Sequence, residues 1–139
     1  MTYLLDTNVL SELRKGPRCH ARVASWFAGL GDEEIGLSVL VIGEIRRGIE
    51  TLRRRDPHGA GALERWLTQL LHDHGQRVLP IDARVAEEWG RLCALRAGSV
   101  IDVLLAATAR VHGLTLATRN VRDIEWTGVA WVNPFESRA

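Results

Sequence analysis

Short apolar runs alternate with longer amphipathic segments along the whole chain. Residues 2–5 are a compact apolar run and predict a first, buried strand. Residues 8–14 predict a short helix, stopped by Gly16-Pro17. A second helix is expected from about His20 to Leu30, with Val23, Trp26, Phe27 and Leu30 on one face. Glu34-Ile35-Gly36-Leu37 predicts the second strand, after which Ser38 caps a helix running from Val39 to about Arg54. Pro57, Gly59 and Gly61 predict a loop. Ala62 to His74 then predicts a helix closed by Gly75. Val78 to Ile81 predicts the third strand, and Asp82 caps a helix ending near Arg96. Gly98 and Ser99 break the chain before a very apolar helix, Val100 to His112, closed by Gly113. Leu114 to Ala117 is the fourth expected strand, Thr118 to Asp123 a polar loop, and Ala130-Trp131-Val132 a short last strand.

Strands separated by helices imply right-handed βαβ crossovers and a parallel sheet covered on both faces, a three-layer α/β/α sandwich. No repeat, low-complexity segment or linker interrupts the pattern, so residues 1–139 are expected to form one domain. The 139 residues are 46% apolar, enough for a folded core. The net charge of +1 provides no global basic field, though an acidic site and a basic rim on one molecule would cancel in that sum. Lys15 is the only lysine, so nearly all positive charge is Arg, which suits forked contacts to phosphate or carboxylate. Cys19 and Cys93 stand far apart in helix-like sequence and read as small semi-buried thiols. No apolar stretch approaches the roughly 18 residues of a membrane span, and no leader pattern opens the chain. The expectation is a soluble, cytoplasmic protein.

Against this background three carboxylates are out of place. Asp6 follows the first strand, where parallel α/β sheets keep their ligand crevices, and it also has the chemistry of a helix cap. Glu44 has Leu40 and Val41 one turn behind it and Gly48 one turn ahead, on or beside the apolar face of its helix. The competing reading is a surface Glu paired with Arg47. Asp102 is the only charge in its helix before Arg110. Ser99-Val100-Ile101-Asp102 also matches a capping box, and an acid in a first helical turn points past the helix end in either case. The Thr118–Asp123 segment adds Asn120 and Asp123. Carboxylates converging at one sheet edge would repel one another and their pKa values would rise. A divalent cation relieves that repulsion, and all-oxygen donors suit Mg²⁺ or Mn²⁺ over Zn²⁺. Such a site performs hydrolytic phosphoryl transfer.

Four segments carry a resemblance: Leu5-Asp6-Thr7-Asn8-Val9-Leu10-Ser11-Glu12-Leu13, Ser38 through Gly48, Val100 through Ala109, and Leu116 through Asp123. In this order they resemble the PIN-domain nucleases, specifically the VapC toxins of bacterial toxin–antitoxin pairs in the FitB-like branch. The resemblance implies Mg²⁺- or Mn²⁺-dependent cleavage of RNA, with Asp6, Glu44 and Asp102 as core acids. Thr7 and Asn8 would support the metal shell. It also implies a homodimer and a small antitoxin of the VapB or FitA kind that covers the site. Two departures from the family pattern stand out. Asn120 occupies a position where many members carry an acid, with Asp123 three residues on, and the segment Ala97-Gly98-Ser99 is short.

Arg46, Arg47, Arg53, Arg54 and Arg55 lie on or just past the Glu44 helix, either guiding phosphate or forming a solvated face. His72-Asp73-His74 falls at a helix carboxyl end, where the dipole favours cations. Most of the five tryptophans are expected in the core, with Trp66 the one placed to line a groove that an antitoxin helix fills. A receiver-type phospho-acceptor module also keeps acids at strand ends, but Lys15 follows the first helix and not a late strand. A PIN-like scaffold that binds RNA or protein without cutting is the other alternative, kept open by Asn120.

Overall fold

In the computed structural model, which describes residues 1–136, β1 (Tyr3–Leu5) is the central strand. It pairs in parallel with β2 (Ile35–Ser38) on one side and β4 (Thr115–Ala117) on the other, so that Tyr3 stands beside both Ile35 and Thr115. β3 (Val78–Leu79) adds outside β2, and β5 (Trp131–Val132) outside β4. The order is β3-β2-β1-β4-β5, all parallel, and Leu4 and Leu5 have no solvent exposure. The chain builds outward from β1 in one direction and then restarts on the other side. The reversal falls between β1 and β4, and the carboxyl ends of those two strands open the crevice where such sheets bind ligands.

Helices cover both faces of the sheet, giving the expected α/β/α sandwich: α1 (Thr7–Leu13), α2 (Ala21–Ala28), α3 (Val39–Arg53), α4 (Pro57–His74), α5 (Ala83–Leu95), α6 (Val100–His112) and α7 (Val121–Ile124). The all-round apolarity of α6 has a direct cause. Leu105, Ala106 and Ala109 join the main core, while Val103 and Ala107 pack with Val85 and Leu92 of α5 in a second cluster. Helix α6 is thus enclosed from two sides. The hydroxyl of its buried Thr108 donates to the Leu104 carbonyl at 2.7 Å, so that hydroxyl is satisfied. Gly113, at φ +66°, ends the helix in the left-handed conformation that glycine adopts without strain. Among the described residues no helix is long and apolar enough to cross a membrane.

Three expectations need correction. Pro57, Gly59 and Gly61 are not a loop but the first turn of α4, with Asp56 accepting from the Gly59 N–H at 3.0 Å. Proline is tolerated at the first helical position, where its missing N–H has no intrahelical role. The Thr118–Asp123 loop gives way to α7 at Val121. Finally, the tryptophans border the core more than they fill it: Trp26 and Trp66 pack half-buried against the main cluster, Trp89 and Trp126 against the second, and Trp131, on edge strand β5, is 42% exposed.

Candidate active site

Asp6 is the residue that joins sheet and site. Its backbone N–H donates to the Ala117 carbonyl at 2.9 Å, extending the β1–β4 ladder by one bond beyond the strand. Its side chain is buried, with two distinct duties. Oδ1 accepts from the Thr7 N–H at 2.7 Å and caps α1. Oδ2 accepts from the Thr118 hydroxyl at 2.7 Å and, more weakly, from the Asn8 amide at 3.4 Å. The capping reading of Asp6 holds, and its second oxygen remains turned to Thr118 and Asn8 at the strand ends.

Thr7 reaches the other way. Its hydroxyl donates to Glu44 Oε1 at 2.7 Å, tying α1 to α3. Among the described residues Glu44 makes no ion pair with Arg47; it is half-buried beside Thr7, as its place next to the apolar face predicts. Asn8 fastens the opposite wall, its Oδ1 accepting from the Arg119 N–H at 3.2 Å. Thr118 Oγ1, while donating to Asp6, accepts from the Asn120 N–H at 3.0 Å.

The electrostatics place Asp102 and Asp123 in the same constellation. Burial raises the Asp6 carboxyl above its ordinary range. The hydrogen bonds from Thr118 and Thr7 pull it down, and repulsion from Asp102 and then Glu44 pushes it up. Asp102 is also raised, first by burial and then by Asp123, with a smaller push from Glu44; hydrogen bonds to Ser99 and Asn120 oppose the rise. Ser99 makes no side-chain bond to the helix backbone, so the expected capping box is absent. The strongest influences on these two acids include no positive side chain. Among the described residues none of the four carboxylates forms an ion pair.

The other sequence candidates lie elsewhere or at the margin. Arg46 bridges Glu50 at 3.0 Å and Glu64 at 2.7 Å, and Arg53 bridges the same two acids, so both join α3 to α4. Arg47 lines a small depression with Glu44 and Ile101. His72 and His74 sit in the exposed last turn of α4. Both cysteines are free and half-buried. Of the groove on the other side of Glu44, lined in part by Arg14, Arg55 and Trp66, the sequence pointed to Trp66 as a groove residue and to Arg55 as a candidate guide for phosphate, and missed Arg14. Those residues come from three helical segments, and no short motif links them.

A family model described as the PIN domain matches residues 3–125. The chain belongs to the PIN-domain family. Among curated proteins, Toxin FitB of Neisseria gonorrhoeae is 34% identical over 137 residues, covering 95% of this chain and 97% of FitB. VapC ribonuclease Y4jK of Sinorhizobium fredii is 34% identical over 140 residues, covering 96% of this chain and 97% of that protein. The crystal structure of FitAcB from Neisseria gonorrhoeae matches with a TM-score of 0.89 at 32% identity, covering 98% of this chain and all of that one. In this PIN domain the four resembling segments are the ones that bear the acids and their hydrogen-bond partners.

The donor set fits a hard divalent cation. Its ionisable groups are all carboxylates, and no positive side chain is among the strongest influences on Asp6 or Asp102. Among the described residues, no three His, Cys, Asp or Glu side chains are gathered closely enough to form a ready-made ligand cage.

Proposed function

We propose that this PIN domain is a Mg²⁺-dependent endoribonuclease, with Mn²⁺ as an alternative ion. In this reading it is the toxin of a VapBC-type pair, acting in the cytoplasm as a homodimer and held inactive by a small VapB- or FitA-like antitoxin. One observation carries the catalytic part: a buried, uncompensated Asp6 at the sheet's switch point, repelled by both Asp102 and Glu44. The relatives named FitB toxin and VapC ribonuclease, aligned over nearly the full chain, support the biological part.

Asp6 and Asp102 would hold the ion, and Glu44 would do so directly or through water. When bound, a divalent cation lowers the pKa of a water and offsets charge gathering on the phosphate. The protein's own work is positional. Thr118 and the Thr7 N–H fix both oxygens of Asp6, and the Thr7 hydroxyl holds Glu44, which would orient the nucleophile. Asp123 and Asn120 set the charge and aim of Asp102. Water would attack a phosphodiester of RNA in line, with the P–O bond on the far side breaking to free one end of the RNA; Arg47 is available to the phosphates, whereas Arg46 is held by Glu50 and Glu64.

The test is cleavage of labelled RNA by purified protein with and without Mg²⁺. Cleavage should need the ion and vanish in Asp6→Asn and in Asp102→Asn. If either variant cuts as fast as wild type, the reading fails.

A further inference from the structure

A groove of about 330 Å³ runs from the acid site between α1, α3 and α4. Thr7 and Glu44 belong to both, so groove and site are continuous. Arg14, at the carboxyl end of α1, and Arg55, just past α3, line it together with Trp66 of α4. Neither guanidinium has a carboxylate partner among the described residues, whereas Arg46 and Arg53 are each held by Glu50 and Glu64. The groove's positive charge is therefore available to an outside anion, while that of the neighbouring helix face is already neutralised.

Its floor contains Gly48, one helical turn beyond Glu44. A Cβ built there meets nothing within 4 Å, so no packing inside the protein demands glycine. Glycine within a helix is destabilising relative to alanine. At this place it keeps the groove open.

Cationic walls that follow a backbone, beside an aromatic face for a base, are how proteins hold single-stranded nucleic acid. We infer that this groove seats the single-stranded RNA segment next to the scissile phosphate, with Arg14 and Arg55 on its phosphates and Trp66 against a base. The inference rests on the ribonuclease reading and adds the path of the substrate. Charge decides the occupant: two unneutralised arginines leading to a metal-dependent acid site suit a polyanion better than an apolar helix.

The test is binding of a short mixed-sequence single-stranded RNA to the full chain in EDTA, across a salt series. Arg14→Gln/Arg55→Gln should weaken binding at least about tenfold and flatten the salt slope by about 1.4, roughly 0.7 for each phosphate that the variant no longer neutralises. Trp66→Leu should weaken binding about tenfold with the slope unchanged, and Trp66→Phe should restore it. Gly48→Met should weaken binding while melting no lower than wild type. Arg84→Gln/Arg91→Gln, which removes two charges from α5, is the control for net charge. Wild-type affinity and slope in Arg14→Gln/Arg55→Gln would overturn the inference and leave the groove to a protein partner. Equal losses toward duplex RNA would overturn the single-stranded assignment. Because the assay needs neither metal nor cleavage, a protein that binds here but cuts nothing sinks the ribonuclease proposal alone. A protein that cuts RNA but binds it independently of Arg14 and Arg55 sinks this one alone.

Discussion

The hydroxyl of Thr118 donates a 2.7 Å hydrogen bond to Oδ2 of Asp6, joining side chains 112 positions apart in sequence. The contact follows from the sheet. Leu5 is paired with Ala117, so the next residue of each strand emerges beside the other at the switch point. The bond is buried at both ends, and it opposes the rise of the Asp6 pKa that burial causes.

Removing that hydroxyl should therefore show twice. Thr118→Val leaves Asp6 Oδ2 with only its weak contact to Asn8, and it strips the Asn120 N–H of its acceptor. A hydrogen bond to a charged group contributes about 1.5–3 kcal/mol, and urea unfolding at neutral pH should register a loss of that order. The Asp6 pKa, followed by carbon-detected NMR, should climb further, while Thr118→Ser should behave nearly as wild type. An unchanged pKa in Thr118→Val would show that the bond does not tune the acid.

The raised carboxyls also set the pH dependence of the metal-free fold. Asp6 and Asp102 both lie above their ordinary value of 3.8 in the folded state. Between the unfolded and folded pKa values the folded protein holds more protons, so stability falls as pH rises through that window. The contribution is complete below about 3.8 and is lost above the raised values. In EDTA, Asp102→Asn should melt higher than wild type at neutral pH and show a flatter acid-to-neutral decline. Added Mg²⁺ should stabilise wild type more than the variant, since binding to the folded state alone raises its stability. Equal stabilisation of the two would remove Asp102 from the ion's surroundings.

Much of this was legible in the chain, and the reasons differ by element. Asp6 was conspicuous because an apolar run ended on it, and Asp102 because α6 is otherwise uncharged before Arg110. Ser38 and Asp82 cap α3 and α5 as their residue types suggest. Pro57 misled because proline and two glycines resemble a loop, although Asp56-Pro57 is equally a cap followed by a permitted first-turn proline. Ser99 matched a capping box, yet its hydroxyl makes no bond to the helix backbone, a choice that spacing does not resolve. The groove of Arg14, Arg55 and Trp66 was legible only in part, through Trp66 and as one arginine in a run of several, and the reason is again physical. Whether an arginine is neutralised depends on which acids the fold brings to it, and Arg46 looked no different in sequence from Arg55.

Glu44 owes its orientation to Thr7, and this can be tested without touching a carboxylate. Thr7→Val keeps the backbone N–H that caps Asp6 Oδ1 and removes only the 2.7 Å bond to Glu44. Loss of a group that orients a metal-site carboxylate typically reduces metal affinity or activity about 10–100-fold. Steady-state cleavage rates at saturating Mg²⁺ should fall in that range for Thr7→Val, and Thr7→Ser should recover most of the loss. A wild-type rate in Thr7→Val would mean that Glu44 needs no such hold.

Asn120 and Asp123 both act on Asp102, in opposite directions. Asn120 acts on Asp102 as a neutral partner whose hydrogen bond favours the ionised carboxylate, and Asp123 acts as the larger of the two carboxylate repulsions on it. Changing each should therefore separate charge from hydrogen bonding. Asp123→Asn removes repulsion, so the Asp102 pKa should fall and the metal-free protein should melt higher. If Asp123 also serves the ion, Mg²⁺ affinity measured by calorimetry should drop about tenfold or more, as for other partners of metal ligands. Asn120→Asp should do the reverse: a higher Asp102 pKa, a less stable metal-free fold and tighter Mg²⁺ binding, because added negative charge favours the cation and disfavours its absence. Tighter binding in Asn120→Asp together with an unchanged affinity in Asp123→Asn would assign the ion's fourth neighbour to position 120 and leave Asp123 as a charge that only tunes Asp102.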